Sequence, residues 1–110
     1  MVYDPELAER LAAVVGDYSG MEPKKMFGGV AWLLNGNMCV GVHKDRLIIR
    51  IGSDSVRKIA GEPHVGPMDI TGRPMKGWAI VAKQGLASKK DLERFISLAV
   101  DFVAELPPKY

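Results

Sequence analysis

Hydrophobic residues near the amino terminus recur at the spacing of one helix face. They are Leu7, Leu11, Val14 and Val15. Asp4 suits an N-cap and Pro5 suits the first helical position, because proline has no N–H to leave unpaired there. Gly16 and Gly20 mark the end. The pattern predicts an amphipathic helix that begins at Pro5.

A second helical pattern follows Ser88. Asp91 stands three residues later, at the spacing of a capping box. The apolar stripe comprises Leu92, Phe95, Ile96, Ala99 and Val103. Leu106-Pro107-Pro108 ends the segment, since proline cannot continue a helix. We therefore expect a helix at each end of the domain.

Between these helices the pattern becomes that of strands. Residues 25–34 are apolar on both faces and are interpreted as one strand. Asn35-Gly36 follows, and both residues tolerate the positive φ that a type I′ hairpin requires. Residues 37–43 and 46–51 then form two further strands of an antiparallel meander. On the first of these, one face is expected to carry Met38, Val40 and Val42, and the other Asn37, Cys39, Gly41 and His43.

The segment after the meander is predicted to contain a short helix and a loop. Ser53 is expected to cap the helix, and Gly61 to close it. Residues 62–67 contain two prolines and are expected to be a loop, followed by a short edge strand at 68–70.

Residues 75–82 are predicted to form the last strand. Lys76, Trp78 and Ile80 share one face of it; Met75, Gly77, Ala79 and Val81, which carry no charge, are expected to face the helices. The element order predicts an α+β fold with an antiparallel sheet of about five strands.

Composition limits the classes of protein to consider. With 110 residues, 47% hydrophobic, a single domain over residues 1–110 is expected. The net charge of +2 argues against binding dominated by nucleic-acid electrostatics. Cys39 is the one cysteine, so an intrachain disulfide is excluded. No apolar run is long enough to cross a membrane and no secretory signal is recognisable, so we expect a cytoplasmic protein without a membrane partner.

Candidate chemistry is sparse. No catalytic motif or phosphate-binding loop is present, and no cofactor or metal is expected. Cys39, His43 and His64 are the candidate metal ligands. Cys39 and His43 are four residues apart on one strand, a span of about 13 Å that is too long for both to reach one ion easily. Gly28-Gly29 is interpreted as a bulge or a close approach of backbones rather than a ligand site.

The sequence also contains candidates for a basic patch. Its candidate members are Lys24, Lys25, Arg46, Arg50, Arg73 and Lys76. Asp45 and Asp69 stand among them, which favours an ordinary solvated surface over a phosphate-binding one.

Several motifs resemble, in order, the N-terminal domain of the TfoX/Sxy family of competence regulators. They are Lys25-Met26-Phe27-Gly28-Gly29, Asn35-Gly36-Asn37-Met38, Pro67-Met68, Gly72-Arg73-Pro74-Met75-Lys76-Gly77-Trp78, and Leu106-Pro107-Pro108-Lys109. The resemblance implies helices packed on an antiparallel sheet, as in secretion-chaperone-like domains. It supplies no catalytic residue. We interpret Phe27, Gly28, Gly29, Asn35, Gly36, Asn37, Gly72, Pro74 and Gly77 as a structural motif.

Longer family members carry a helical C-terminal domain and regulate genes for DNA uptake. The printed sequence ends at Tyr110 without a counterpart of that domain, so direct work at a promoter is not expected. In this respect the sequence departs from the longer members, and we expect a stand-alone domain that resembles their N-terminal part.

The function expected is a non-enzymatic regulatory and protein-interaction module that forms a homodimer and binds an unidentified protein partner. Its candidate interaction surface comprises Arg73, Met75, Lys76, Trp78 and Ile80. Trp78 is expected on the sheet face away from the helices, buried mainly by a partner. The alternatives are a nucleic-acid-associated regulator, and a small-molecule binder or enzyme that uses His64, Asp69 and Arg73 at a cleft.

Overall fold

Helices from both ends of the chain pack on one face of an antiparallel sheet in the computed structural model. The structure describes residues 3–26, 28–68 and 75–108, with only the backbone of Met26. The helices are α1 (Pro5–Val15), α2 (Ser53–Ile59) and α3 (Lys89–Val103), with a 3₁₀ turn at Lys83–Leu86. The strands are β1 (Met21–Met26), β2 (Gly29–Leu34), β3 (Asn37–His43), β4 (Arg46–Arg50), β5 (Val65–Pro67) and β6 (Trp78–Val81).

The described strands form one sheet in the order β1-β2-β3-β4-β6-β5, and every neighbouring pair is antiparallel. The α+β class is confirmed, with six strands where about five were expected. The apolar stripes of α1 and α3 cover the central strands, and α3 packs on β3 and β4. The core therefore lies between the helices and a single face of the sheet.

Both long helices begin where the sequence predicts. The Asp4 carboxylate accepts hydrogen bonds from the backbone N–H groups of Glu6 and Leu7. The Ser88 hydroxyl accepts one from the N–H of Asp91, at 3.0 Å. The predicted stripes are buried in both helices. Within the described ranges, no helix is both long enough and apolar enough to span a bilayer.

The first strand prediction was wrong in its extent. Residues 25–34 do not form one strand, because the chain reverses at a turn and β1 pairs back on β2. Gly28 lies in that turn with a φ of 74°. Phe27 lies outside the described residues. Gly29 is a point of close backbone approach, as one of the sequence interpretations proposed.

A β-bulge at Cys39 changes the faces predicted for β3. Trp32 pairs with Val40 and Leu33 pairs with Met38, so Cys39 is the extra residue. Cys39 joins Val40 in the core beneath the helices, whereas Met38 packs on the opposite face. The expectation that Met38 and Val40 share a face was therefore wrong, and so was the placement of Cys39 beside His43.

Two local predictions in the middle of the chain also need correction. Ser53 is the first residue of α2 rather than its cap; the N-cap is Gly52, with no side-chain hydrogen bond. Residues 62–67 are not wholly a loop, because Val65 pairs with Val81 and Pro67 with Ala79 to make the edge strand β5. Met68 follows that strand instead of opening one, and residues 69–70 lie outside the described ranges.

The last strand is shorter than predicted. It begins at Trp78, because Lys76 and Gly77 form a turn and Gly77 has a φ of 83°. The Gly77 carbonyl accepts hydrogen bonds from the N–H groups of Ile51 and Gly52, which ties this turn to the end of β4. Met75 does not face the helices; it packs on the other side of the sheet. Ala79 and Val81 do face the helices, as predicted.

Candidate interaction face

The sheet face opposite α1 and α3 is here called the helix-free face. Its centre is a small apolar cluster of Ile48, Met68 and Ile80, each no more than 5% exposed. Half-buried Met38, Met75 and Trp78 surround this cluster. The face therefore has a closed centre and an apolar rim that solvent reaches.

The chain itself covers the middle of this face. Met68 follows β5 and Met75 precedes β6, and the N–H of Met75 donates to the Met68 carbonyl at 2.9 Å. Because the two methionines pack on Ile48 and Ile80, those two side chains need no partner to be buried. Any partner would instead contact the rim.

Trp78 lies on the helix-free face, which confirms the face predicted for it. It stands opposite Arg50 of β4, and the Arg50 guanidinium carbon is 5.3 Å from the centroid of the indole ring. This distance is within the range of a cation–π contact. The indole is half-buried, so part of its ring surface is open to a partner.

Cationic side chains flank the apolar rim. Arg46 and Arg50 alternate with Ile48 along β4 and so project to the same face. Lys24 joins them, because cross-strand pairing runs in one row from Lys24 through Ala31 and Gly41 to Ile48. Glu22 lies on the same face of β1 by the same alternation. Among the described residues of this face, cations therefore outnumber carboxylates.

These cations are not neutralised within the described part of the chain. Its ion pairs join Asp4 with Lys83, Glu62 with Arg94, and Asp54 with Arg57, and all involve other elements. Lys24, Arg46 and Arg50 take part in none of them, so their charge is available at the surface.

The two titratable groups on β3 have shifted pKa values. Burial raises the pKa of the Cys39 thiol to about 12, and the charge of Arg50 opposes this rise. Burial also lowers the pKa of His43, with further lowering by the charges of Arg46 and Lys44. At neutral pH the thiol is protonated and is a poor nucleophile. No group of three metal-binding side chains occurs in the ranges that the structure describes.

Two grooves flank α1 on the other side of the molecule. One, of about 250 Å³, lies between α1 and α3 over Ala13, Val14 and Leu92. The other, of about 330 Å³, lies between α1 and β2 over Ala12 and Trp32. Both are apolar at the base, but no feature of their rims selects one kind of occupant.

The sequence-predicted surface is brought together in part. Met75, Trp78 and Ile80 share the helix-free face, and Lys76 is exposed in the turn before Trp78. Arg73, Gly72 and Pro74 lie outside the described residues. His64 is exposed on the loop before β5; Asp69 and Arg73, its proposed partners at a cleft, lie outside them too.

Sequence reasoning missed three contributors to this face: Met38, Ile48 and Met68. A signal for Ile48 was present, because its position between Arg46 and Arg50 places it on their face by alternation. Met38 was misplaced because of the bulge.

Comparison with known families gave a match over most of the chain. The family model described as the TfoX N-terminal domain matches residues 11–103, from the middle of α1 to the end of α3. Comparisons with curated protein sequences and with solved structures gave no match. The expected likeness to secretion chaperones stays a prediction.

Proposed function

Because the chain belongs to the TfoX N-terminal domain family, we propose that it is a non-enzymatic regulatory module that acts by binding a protein through the helix-free face. The regulated genes are, on the family's precedent, those for DNA uptake. The observation that carries the proposal is the half-buried Trp78 among half-buried methionines, on a sheet face that none of the described helices covers.

The residue types at this rim suit a protein interface. Tryptophan, methionine and arginine are enriched in such interfaces, and tryptophan and arginine account for much of the binding energy where it has been mapped. Methionine side chains adapt to an irregular partner surface because they are unbranched and polarisable. The protonated, buried Cys39 thiol also supports a role without nucleophilic chemistry.

The test is to place Trp78→Ala in the chromosomal gene and measure transcript levels. We expect the variant to reproduce the transcript changes of a gene deletion while an immunoblot shows an unchanged protein level. Leu98→Ala is the matched control, because Leu98 is a half-buried apolar residue on the helix side. A deletion that alters no transcripts, or equal effects of the two variants, would reject the proposal.

The homodimer expected from the sequence stays a prediction. Sedimentation velocity of the wild type and of Trp78→Ala decides it. If the wild type is a dimer and Trp78→Ala is a monomer, a second copy of the chain occupies this face. If both proteins are monomers, a second copy is not the partner.

A further inference from the structure

The net charge of +2 conceals an uneven distribution between the two layers of the fold. Residues 4–17 and 88–105, which contain α1 and α3, carry eight carboxylates and four cationic side chains, a net −4. Residues 21–50, which contain β1 to β4, carry two carboxylates and five cationic side chains, a net +3. The helix layer is acidic and the sheet is basic.

This division bears on which partner fits the helix-free face. A two-fold homodimer through that face would bring two identical cationic rims together in one interface. Like charges that face each other across an interface cost free energy. A second copy is therefore the less favourable occupant.

The chemistry of the rim argues against nucleic acid as well. Binding of single strands uses several aromatic side chains on which successive bases stack. Trp78 is the one aromatic side chain that the described residues place in this cluster, and Arg50 already lies over its ring. The rest of the rim is methionine, which matches an apolar protein side chain better than a phosphate backbone.

From this arrangement we infer that the helix-free face binds an acidic segment of a partner protein that also presents apolar side chains. The inference rests on the proposed function and names the chemistry of its partner. Carboxylates of the segment would pair with Arg46, Arg50 and Lys24, and its apolar side chains would contact Trp78 and Met75. Arg46 and Arg50 are about 13 Å apart along β4, so an extended segment would present the carboxylates that pair with them about four residues apart.

The experiment measures fluorescence anisotropy of labelled peptides with the full chain. Two acidic probes are used, one that alternates glutamate with leucine and phenylalanine, and one with the same residues in an amphipathic helical pattern. Their counterparts replace every glutamate by lysine. A labelled single-stranded oligonucleotide is the fifth ligand.

We expect at least one acidic peptide to bind, and its affinity to fall as salt rises from 50 mM to 300 mM because surface ion pairs are screened. The lysine counterparts should not bind. Arg46→Gln with Arg50→Gln should weaken binding about tenfold. The matched control, Lys89→Gln with Lys90→Gln, removes the same charge from the start of α3 and should leave the affinity unchanged.

If Arg50→Gln lowers the melting temperature because Trp78 loses its cation–π contact, the pair Lys24→Gln with Arg46→Gln replaces it. The inference is overturned if neither acidic peptide binds, if the charge of the peptide makes no difference, or if the oligonucleotide binds more tightly. It is also overturned if the chain dimerises through this face. A failed peptide titration together with a positive transcript result for Trp78→Ala would reject the acidic partner and leave the proposed function standing.

Discussion

Gly29 of β2 lies against the backbone carbonyl of Val42 on β3. A Cβ atom at position 29 would be 2.0 Å from the Val42 oxygen. No side-chain rotation relieves this contact, because the obstructing atom belongs to the main chain. The position therefore admits only glycine without a shift of one strand.

We expect Gly29→Ala to lower the free energy of unfolding by about 1–3 kcal/mol through overpacking. Urea denaturation measures this. The matched control is Gly66→Ala on β5, where an added Cβ would meet no atom within 4 Å. Both changes stiffen the unfolded chain alike, so the difference between them isolates the contact with Val42. Equal stabilities for the two variants would contradict the close approach.

The first hairpin should depend on glycine at position 36. Asn35 and Gly36 have φ values of 52° and 86°, and Leu34 pairs with Asn37, which together define a two-residue turn of type I′. Gly36→Val should cost about 1–3 kcal/mol, because a β-branched residue resists positive φ. Gly36→Asn, which tolerates that conformation, should cost less. The order of the melting temperatures tests this, and a valine variant as stable as the wild type would contradict the turn.

The ends of the chain could be predicted well because each helix carries two independent signals. Asp4 and Ser88 cap their helices, and the apolar stripes continue from those caps at helical spacing. The Asn35-Gly36 turn was equally clear, since few residue pairs accept positive φ twice. The sequence was therefore sufficient for prediction where a cap or a turn pair determines the backbone conformation without tertiary contacts.

The remaining strands depend on pairing that the local pattern does not contain. β1 contains Pro23, Lys24 and Lys25, and such residues suit an exposed edge strand but give no strand pattern. The bulge was hidden because Met38, Cys39 and Val40 are all apolar, so either face assignment fits the sequence. β5 forms because its backbone pairs with β6, a contact that the local sequence does not reveal.

Cys39 should react slowly with thiol reagents. It is fully buried, and burial raises its pKa to about 12, so little thiolate exists in the folded protein at pH 8. Labelling with a chromogenic disulfide should proceed at the rate of unfolding and become fast in denaturant. Fast labelling of the native protein would place the thiol at the surface.

The same shift makes stability depend on alkaline pH. The unfolded thiol ionises near its ordinary value of 9.0, whereas the folded thiol keeps its proton up to about 12. The unfolded state is therefore favoured increasingly as pH rises between these values. The melting temperature of Cys39→Ala should fall less above pH 9 than that of the wild type. A fall identical to that of the wild type would contradict the raised pKa.

Asp4 joins the start of α1 to the segment before α3. One carboxylate oxygen accepts the N–H groups of Glu6 and Leu7, and the other accepts from the Lys83 ammonium at 2.8 Å. The hydrogen bond from Lys83 is the main cause of the lowered pKa of Asp4, and those from the helix N–H groups add to it. Because the folded pKa lies below the ordinary value of 3.8, the stabilisation is complete above that value and is lost as pH falls through the folded pKa.

Three variants separate the cap from the ion pair. Asp4→Ala removes both and should lower the melting temperature most at pH 7. Asp4→Ser keeps a capping oxygen and Lys83→Met keeps the whole cap, so each should lower the melting temperature less than Asp4→Ala does. Asp4→Ala and Asp4→Ser should also show a smaller decline in melting temperature between pH 5 and pH 3 than the wild type, because neither has a carboxylate to protonate at this position. An equal decline in melting temperature for the wild type and Asp4→Ser between pH 5 and pH 3 would refute the lowered pKa of Asp4. An equal loss of melting temperature in all three variants at pH 7 would show that the cap and the ion pair act as one unit.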